Sequence, residues 1–365
     1  MLSLLILLRL ERKFIKMVRV AINGFGRIGR TAFKVYFDKH KDQMQVVAVN
    51  DIVDANTLAH LLKYDSNYGV WNRQVVGENL VEDIKSAADG KPVGKIIVDG
   101  VEVPSFATKE PAKLPWKALG VDVVIESTGK FTDEEGMQKH LDAGAKKVIL
   151  SAPAKGGNVG TFLLGVNEEK YNGETLINNA SCTTNCIAPV AKIMQGKFGV
   201  VKAMMTTVHA YTQDQLLQDG PHKDLRRARA AAGNIVPTST GAAIATTEAI
   251  PELKGLFDGV AIRVPVAVGS ISDFTFLLKK KVTVEAVNGA FEEAAKDKRY
   301  EGILAATNEP VVSSDIVGRS ESAIVDLSLT QVVDGDMVKV FAWYDNEFGY
   351  SNRLIEQVIQ VGKFS

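Results

Sequence analysis

Short runs of apolar residues recur through the first half of the chain, separated by stretches with helical spacing. Val18 to Asn23 is one such run and predicts a buried strand. Arg30 to His40 predicts the helix after it. Val46 to Asp51, Val121 to Glu126 and Lys147 to Ser151 predict three more strands. Asp54 is placed to cap a helix over Ala55 to Tyr64, and Thr132 with Glu135 forms a capping box for a helix ending near Ala143. Strand and helix alternate with Gly-rich turns between them, the pattern of a parallel sheet covered on both faces. Gly69 to Trp116 breaks the alternation and predicts an inserted antiparallel portion.

Beyond about residue 180 the texture changes. Ser181 to Lys197 predicts a helix, and Val201 to Tyr211 and Val260 to Leu278 predict strands of a second sheet. Ala323 to Val333 and Asp336 to Tyr344 predict a hairpin turning at Asp334-Gly335. Leu354, Ile355, Val358 and Ile359 share one face of a last helix over Ser351 to Val361, placed to pack back on the first domain.

Composition narrows the class. The 365 residues suit two domains of ordinary size, and 46% apolar with 24% charged residues is the balance of a globular protein. Lys plus Arg and Asp plus Glu both total 43, so no bulk charge draws the chain to nucleic acid or an anionic membrane. Two cysteines, Cys182 and Cys186, sit four residues apart, which is neither a disulfide scaffold nor a metal site. Residues 1–16 hold an apolar run, Leu4 to Leu8, too short to span a bilayer and lacking the order of a secretory signal. They are expected to be an extension upstream of Met17.

Gly24-Phe25-Gly26-Arg27-Ile28-Gly29 matches G-x-G-x-x-G between a strand and a helix, the context a dinucleotide site needs. Gly24 permits the turn, Gly26 lets the backbone approach a pyrophosphate, and Gly29 lets helix and strand pack. Asp51 ends the next strand, 22 residues after Gly29. A carboxylate there accepts from ribose hydroxyls and repels a 2′-phosphate, which favours NAD over NADP.

Cys182 lies in Ala180-Ser181-Cys182-Thr183-Thr184-Asn185-Cys186 at the start of a helical pattern, where the helix dipole favours a thiolate and backbone donors face an oxyanion. Cys186 lies one turn deeper among apolar residues. His209 is the one histidine on a nearby predicted strand and the best partner for a cysteine nucleophile. The other four, His40, His60, His140 and His222, fall in helical or basic surface contexts. A reactive cysteine beside a nicotinamide site points to aldehyde oxidation through a hemithioacetal and an acyl thioester. Thr212, the hydroxyl-rich turn Thr238 to Gly241 and Arg263 in an apolar strand are candidates for holding anions. A structural ion pair is the plain alternative for Arg263.

These residues resemble phosphorylating glyceraldehyde-3-phosphate dehydrogenase. The likeness rests on INGFGRIGR at 22–30, NTLAHLLKYD at 56–65, ASCTTNC at 180–186, HAYT at 209–212, RRARAAAGNIVPTSTGAA at 226–243 and WYDNEFGY at 343–350, and covers nearly everything from Met17 onward. It implies Cys182 as nucleophile and His209 as its activator, hydride-step base and oxyanion donor. It implies that Asn346 holds the nicotinamide carboxamide. Asn23, Arg27, Ile28, Asp51, Lys109, Thr128 and Ser151 would line the NAD site with Gly24, Gly26 and Gly29. Ser181, Thr183, Thr240 and Gly241 would bind the attacking inorganic phosphate, and Thr212 and Arg263 the phosphate of glyceraldehyde 3-phosphate. Residues 155–160 and 266–268 depart from the family pattern.

The fold expected is α/β, a Rossmann-type doubly wound parallel sheet over residues 17–181. A second α+β catalytic domain with a largely antiparallel or mixed sheet would span 182–348, and a C-terminal helix over 349–365 would return to the first. The resemblance implies a cytoplasmic homotetramer that makes 1,3-bisphosphoglycerate, with no metal, membrane or nucleic acid required. Two other readings stand beside it. Erythrose-4-phosphate dehydrogenase shares the cysteine and histidine but hydrolyses its thioester. A non-catalytic NAD-binding sensor or adhesin would have no use for Cys182, His209 and Arg263 together.

Overall fold

The computed structural model describes residues 17–364, so the expected extension over 1–16 lies outside the described residues. Two sheets carry the chain. The first has nine strands: β1 (Val18–Asn23), β2 (Met44–Asn50), β3 (Val75–Asn79), β4 (Pro92–Val98), β5 (Val101–Phe106), β6 (Val123–Glu126), β7 (Lys147–Leu150), β8 (Gly160–Thr161) and β9 (Leu176–Asn178). Their order across the sheet is β8-β9-β7-β6-β1-β2-β5-β4-β3. All neighbours from β8 to β5 run parallel, and β5-β4-β3 is the antiparallel insertion that the Gly- and Pro-rich stretch predicts. Strand order reverses between β1 and β6, so a crevice opens at the carboxyl ends of those two strands.

Helix α1 (Arg27–Lys39) begins three residues earlier than the apolar pattern indicated, because Gly26 already serves as its N-cap. No side chain caps it, so its first N–H groups are left for a ligand. Asp54 caps α2 (Ala55–Lys63) by accepting from Thr57 N, as expected. Helix α3 (Glu134–Asp142) corrects the capping box. Asp133 is the N-cap and accepts from Gly136 N at 2.8 Å, while Thr132 is buried before it. An aspartate one residue closer to the first turn is at least as good an acceptor as a threonine.

The second sheet is mixed. Its strands are β10 (Val200–Ala210), β11 (Val236–Ser239), β12 (Phe257–Val264), β13 (Ser270–Leu278), β14 (Leu304–Thr307), β15 (Ala323–Asp326), β16 (Gln331–Val333) and β17 (Met337–Tyr344). The order is β11-β12-β10-β13-β17-β15-β14, with β16 also on β17. The strand expected over Ala323 to Val333 is broken by a 3-10 turn at Leu327–Leu329 into β15 and β16, both antiparallel to β17. Asp334 and Gly335 turn the hairpin with φ of 48° and 75°, the left-handed pair that a two-residue hairpin requires. Helices α4 (Cys182–Phe198), α5 (Ala242–Ala249) and α6 (Val284–Lys296) complete this core.

The last helix, α7 (Phe348–Gly362), buries Leu354, Ile355 and Val358 in the same cluster as Val18, Val20 and Phe33 of the first sheet's layer. Among the described residues no helix is long and apolar enough to cross a membrane.

Gly29 is where this packing is tightest, since a Cβ there would lie 2.2 Å from the Gly24 carbonyl oxygen. Gly29→Ala should lower folding stability by roughly 1–3 kcal/mol, the cost of overpacking an unyielding contact. The urea midpoint reads it, and an unchanged midpoint would mean that the loop gives way freely.

Candidate active site

A strained turn delivers the candidate nucleophile, Cys182. Ala180 takes a left-handed φ of 48°, unusual for a residue with a Cβ, and its N–H donates to Asn178 Oδ1 at 2.9 Å. Asn185 Nδ2 donates to Asn179 O at 2.8 Å and Ser181 O at 3.1 Å, and Tyr350 OH donates to Ala180 O at 3.2 Å. Ser181 then caps α4 by accepting from Thr184 N at 3.0 Å. Cys182 is therefore the first residue of a 17-residue helix, with its sulfur at the positive end of the dipole.

Register supplies its partners. His209 on β10 pairs directly with Arg263 on the parallel strand β12. His209 Nε2 lies 3.4 Å from Cys182 Sγ. His209 Nδ1 lies 2.6 Å from Ala210 O and 3.0 Å from Arg263 Nη1. Arg263 Nη1 also donates to Ala210 O at 3.1 Å and Thr212 Oγ1 at 3.2 Å. Arg263 Nε is buried without a partner, a donor left for an anion.

Burial pushes the Cys182 thiol up, while the Arg263 guanidinium and the Thr183 hydroxyl and N–H pull it back down. Burial, then Arg263, pushes the His209 imidazole down to about 3. Each group alone is thus held neutral. Moving the thiol proton to Nε2 makes an ion pair without changing the charge of the site. Cys186 is fully buried and burial raises its thiol strongly, which argues against it as a nucleophile.

Tyr344 is a residue that sequence reasoning missed. Its hydroxyl bridges Thr183 Oγ1 at 2.9 Å and Thr207 Oγ1 at 2.8 Å, and its ring stands edge-on to His209 at 5.9 Å. The WYDNEFGY string contains it, but nothing local distinguishes this tyrosine from a core residue. The Ser181 and Thr183 hydroxyls are both engaged by protein partners, so what they offer an anion is mainly backbone N–H. Thr240 and Gly241 open α5. Gly241 borders a separate opening with Gly157 and Glu248, and no hydrogen bond joins either residue to the Cys182 group among the described residues.

The crevice at the strand ends is a cavity of about 290 Å³ lined by Gly24, Gly26, Asp51, Thr108, Lys109 and Thr128, among others. It fits a dinucleotide on its own geometry. A Cβ on Gly24 would strike Thr128 N at 2.6 Å, whereas Gly26 has open space beside it where a phosphate can approach the uncapped helix. Asp51 Oδ2 accepts from Phe25 N at 2.7 Å, which leaves Oδ1 for a ribose hydroxyl. Asn346 Oδ1 accepts from Gly269 N at 3.0 Å, so its amide N–H2 is free to donate to a carboxamide.

Other expected cofactor residues have a different occupation. The Asn23 side chain is wholly used inside the protein, between Asn50 and Glu126. Arg27 pairs with Asp65 at 2.8 Å and forks onto Glu347; burial works against its charge, and the two carboxylates more than offset this. Ile28 packs on the core, and Ser151 N donates to Glu126 O at 2.9 Å.

A dinucleotide cleft joined to a half-buried thiol, a buried imidazole and an arginine beside them defines a thiol-dependent dehydrogenase. Comparison with known proteins narrows this class. The description "Glyceraldehyde 3-phosphate dehydrogenase, NAD binding domain" matches residues 18–134, and the C-terminal domain of the same family matches 181–346. Glyceraldehyde-3-phosphate dehydrogenase of Mycobacterium tuberculosis is 53% identical over 351 residues, spanning 95% of this chain and 99% of that protein. The enzyme of the same name from Streptomyces coelicolor is 50% identical over 347 residues, spanning 94% and 98%. The chain belongs to the glyceraldehyde-3-phosphate dehydrogenase family, and is an NAD-dependent oxidoreductase.

Iodoacetamide should label the native protein at Cys182 alone, one adduct per chain by intact mass. Cys182→Ser should take up none until denaturant exposes Cys186. Native labelling at Cys186 would contradict the assignment of the nucleophile.

Proposed function

We propose that the protein oxidises glyceraldehyde 3-phosphate to 1,3-bisphosphoglycerate, with Cys182 as the covalent carrier. The observation that carries this is the 3.4 Å contact between Sγ and Nε2 with the unpartnered Arg263 Nε beside it. Arg263 and Thr212 hold the substrate phosphate and set the aldehyde carbon over the sulfur. The sulfur attacks, the S–C bond forms and the carbonyl π pair moves to oxygen. That oxygen faces the first N–H groups of α4 and His209 Nε2–H, and takes the Nε2 proton to become the hemithioacetal hydroxyl, leaving the imidazole neutral. His209 then takes the hemithioacetal hydroxyl proton as the C–H bond breaks and the carbonyl re-forms as a thioester. NAD, when bound, supplies the two-electron acceptor for that hydride, with Asn346 fixing its carboxamide.

Release completes the cycle. An oxygen of inorganic phosphate adds to the thioester carbon, and the C–S bond breaks with its electron pair returning to Cys182. Backbone N–H groups at Ser181 and Thr183, with Thr240 and Gly241, are the proposed anion site. Lys109, Thr128, Ser151 and the Gly24–Gly29 turn are proposed for the cofactor, with Asn23, Arg27 and Ile28 acting through packing and hydrogen bonds. The hydrolytic alternative is not favoured by the relatives.

The reading includes a homotetramer. Met204, Ile244, Val260 and Met337 are exposed apolar side chains on and beside the outer face of the second sheet, a surface that a second copy of the chain would cover.

The deciding assay follows NADH formation from glyceraldehyde 3-phosphate with and without inorganic phosphate. Strong phosphate dependence is expected, and turnover indifferent to phosphate would overturn the phosphorolytic step. Cys182→Ser should abolish oxidation while NAD binding persists. Normal turnover in that variant would sink the thioester. Asp51→Ala should weaken NAD binding by about tenfold, the worth of a charge-assisted hydrogen bond, and narrow the gap to NADP. An unaltered preference would remove Asp51 from the ribose.

A further inference from the structure

Glu126 ends β6 at the point where the strand order reverses. It is in register with Asn23 at the end of β1, and Asn23 with Asn50 at the end of β2. All three are buried. A line of hydrogen bonds runs along this row, and its direction follows from groups that can only donate. The Thr108 backbone N–H donates to Asn50 Oδ1 at 2.9 Å. Asn50 Nδ2 therefore donates to Asn23 Oδ1 at 2.7 Å, and Asn23 Nδ2 to Glu126 Oε2 at 2.5 Å.

From the other side, the indole N–H of Trp116 donates to His140 Nδ1 at 3.0 Å. That places the imidazole proton on Nε2, which donates to the same Glu126 Oε2 at 2.9 Å. Glu126 Oε1 accepts from Thr128 N at 2.8 Å and from the Thr128 hydroxyl. Every partner of the carboxylate is a donor, so the group is a buried anion, compensated by hydrogen bonds from neutral groups. His140, placed by its sequence context in a helix or on the surface, is in the helix and fully buried.

Glu126, His140 and Trp116 stand behind the cofactor cavity, whereas Asn23, Asn50, Thr108 and Thr128 line it. We propose that Glu126 is a positioning residue for the cofactor. One carboxylate holds the walls of the cavity in the shape that receives the adenosine half of the dinucleotide, and His140 with Trp116 orients that carboxylate. The proposal rests on the NAD reading above. Its physical content is preorganisation: walls already fixed by charge-assisted bonds in a low-dielectric site need no ordering when the ligand arrives. A glutamine cannot replace the glutamate. Whichever way its amide turns, the NH2 meets a donor, either Thr128 N–H on one side or His140 Nε2–H and Asn23 Nδ2 on the other.

The test uses the full chain, with NAD and ADP-ribose titrated by calorimetry beside steady-state kinetics. Glu126→Gln should weaken NAD and ADP-ribose alike by about tenfold, the order of one lost charged hydrogen bond. KM for NAD should rise by the same factor. kcat at saturating NAD and the rate of Cys182 alkylation should stay near wild type. His140→Leu, which touches no ligand, should give a smaller loss in the same direction. His140→Gln should restore binding, because its amide can accept from Trp116 and donate to Glu126. That pair also reads the role if Glu126→Gln does not fold.

Unchanged affinity in Glu126→Gln, a fall in kcat with KM intact, or equal loss in His140→Leu and His140→Gln would each overturn the proposal. Wild-type protein that binds no NAD would overturn the cofactor reading and this role with it. Wild-type binding with unaffected variants overturns the role alone.

Discussion

A thiol and an imidazole 3.4 Å apart inside a protein can exchange a proton without altering the charge of their surroundings, and the second domain is arranged around that contact. Burial holds both groups neutral, with Arg263 adding to it at the imidazole. The ion pair becomes accessible only because the two groups shift together, with the start of α4 facing the sulfur and the Ala210 carbonyl facing the ring. Both ends of the contact must be rigid for this to hold. The histidine is fixed by its place in a sheet, between the register with Arg263 and the edge of Tyr344. The cysteine is fixed by a left-handed Ala180 that asparagine side chains and Tyr350 hold in place. Strain of this kind persists where the surroundings over-determine it.

The first domain meets the same difficulty, burying polar groups beside a ligand site, by a different route. Its strand ends carry Asn50, Asn23 and Glu126 in a row, and each donor finds an acceptor until the chain ends on one carboxylate. Glycine does the rest where side chains cannot fit. At Gly24 the backbone of residues 127–128 lies too close for a Cβ, and that proximity forms one wall of the cleft.

Much of this was legible in the chain itself. Period and turn chemistry located β1, α2 and the Asp334-Gly335 hairpin almost to the residue, because each is specified by local physics: an apolar run, an N-cap, a pair of left-handed positions. The misses have separate causes. Helix α1 starts at Arg27 because a glycine without a side chain caps it, which leaves no signature in a search for capping residues. The strand after Ala323 breaks at Leu327–Leu329, where apolar continuity conceals a 3-10 turn. The roles of Tyr344, Asn23 and Glu126 depend on partners more than 100 positions away, and no window along the sequence contains both ends of such a bond.

Hydride transfer needs the two domains in fixed relation, since the cofactor cleft belongs to one and the sulfur to the other. Two contacts help to supply this, and both converge on residues 345–347. Arg27, in the first turn of α1, forks onto Glu347 while also pairing with Asp65. Tyr68 donates to Asp345 at 2.8 Å, and the same carboxylate accepts from Gly318 N, Glu347 N and Phe348 N. Between these two acids stands Asn346, held by Gly269 N. Asn346, proposed above to hold the nicotinamide carboxamide, is thus clamped on both sides by links to the phosphate-loop domain. A surface ion pair would contribute little to such a clamp. Here Asp345 is buried and Arg27 and Glu347 are largely so, and the backbone donors on Asp345 leave it no other geometry. The cleft and Cys182 are therefore not two features brought near each other by chance packing. One short segment, passing from β17 into α7, carries links to both.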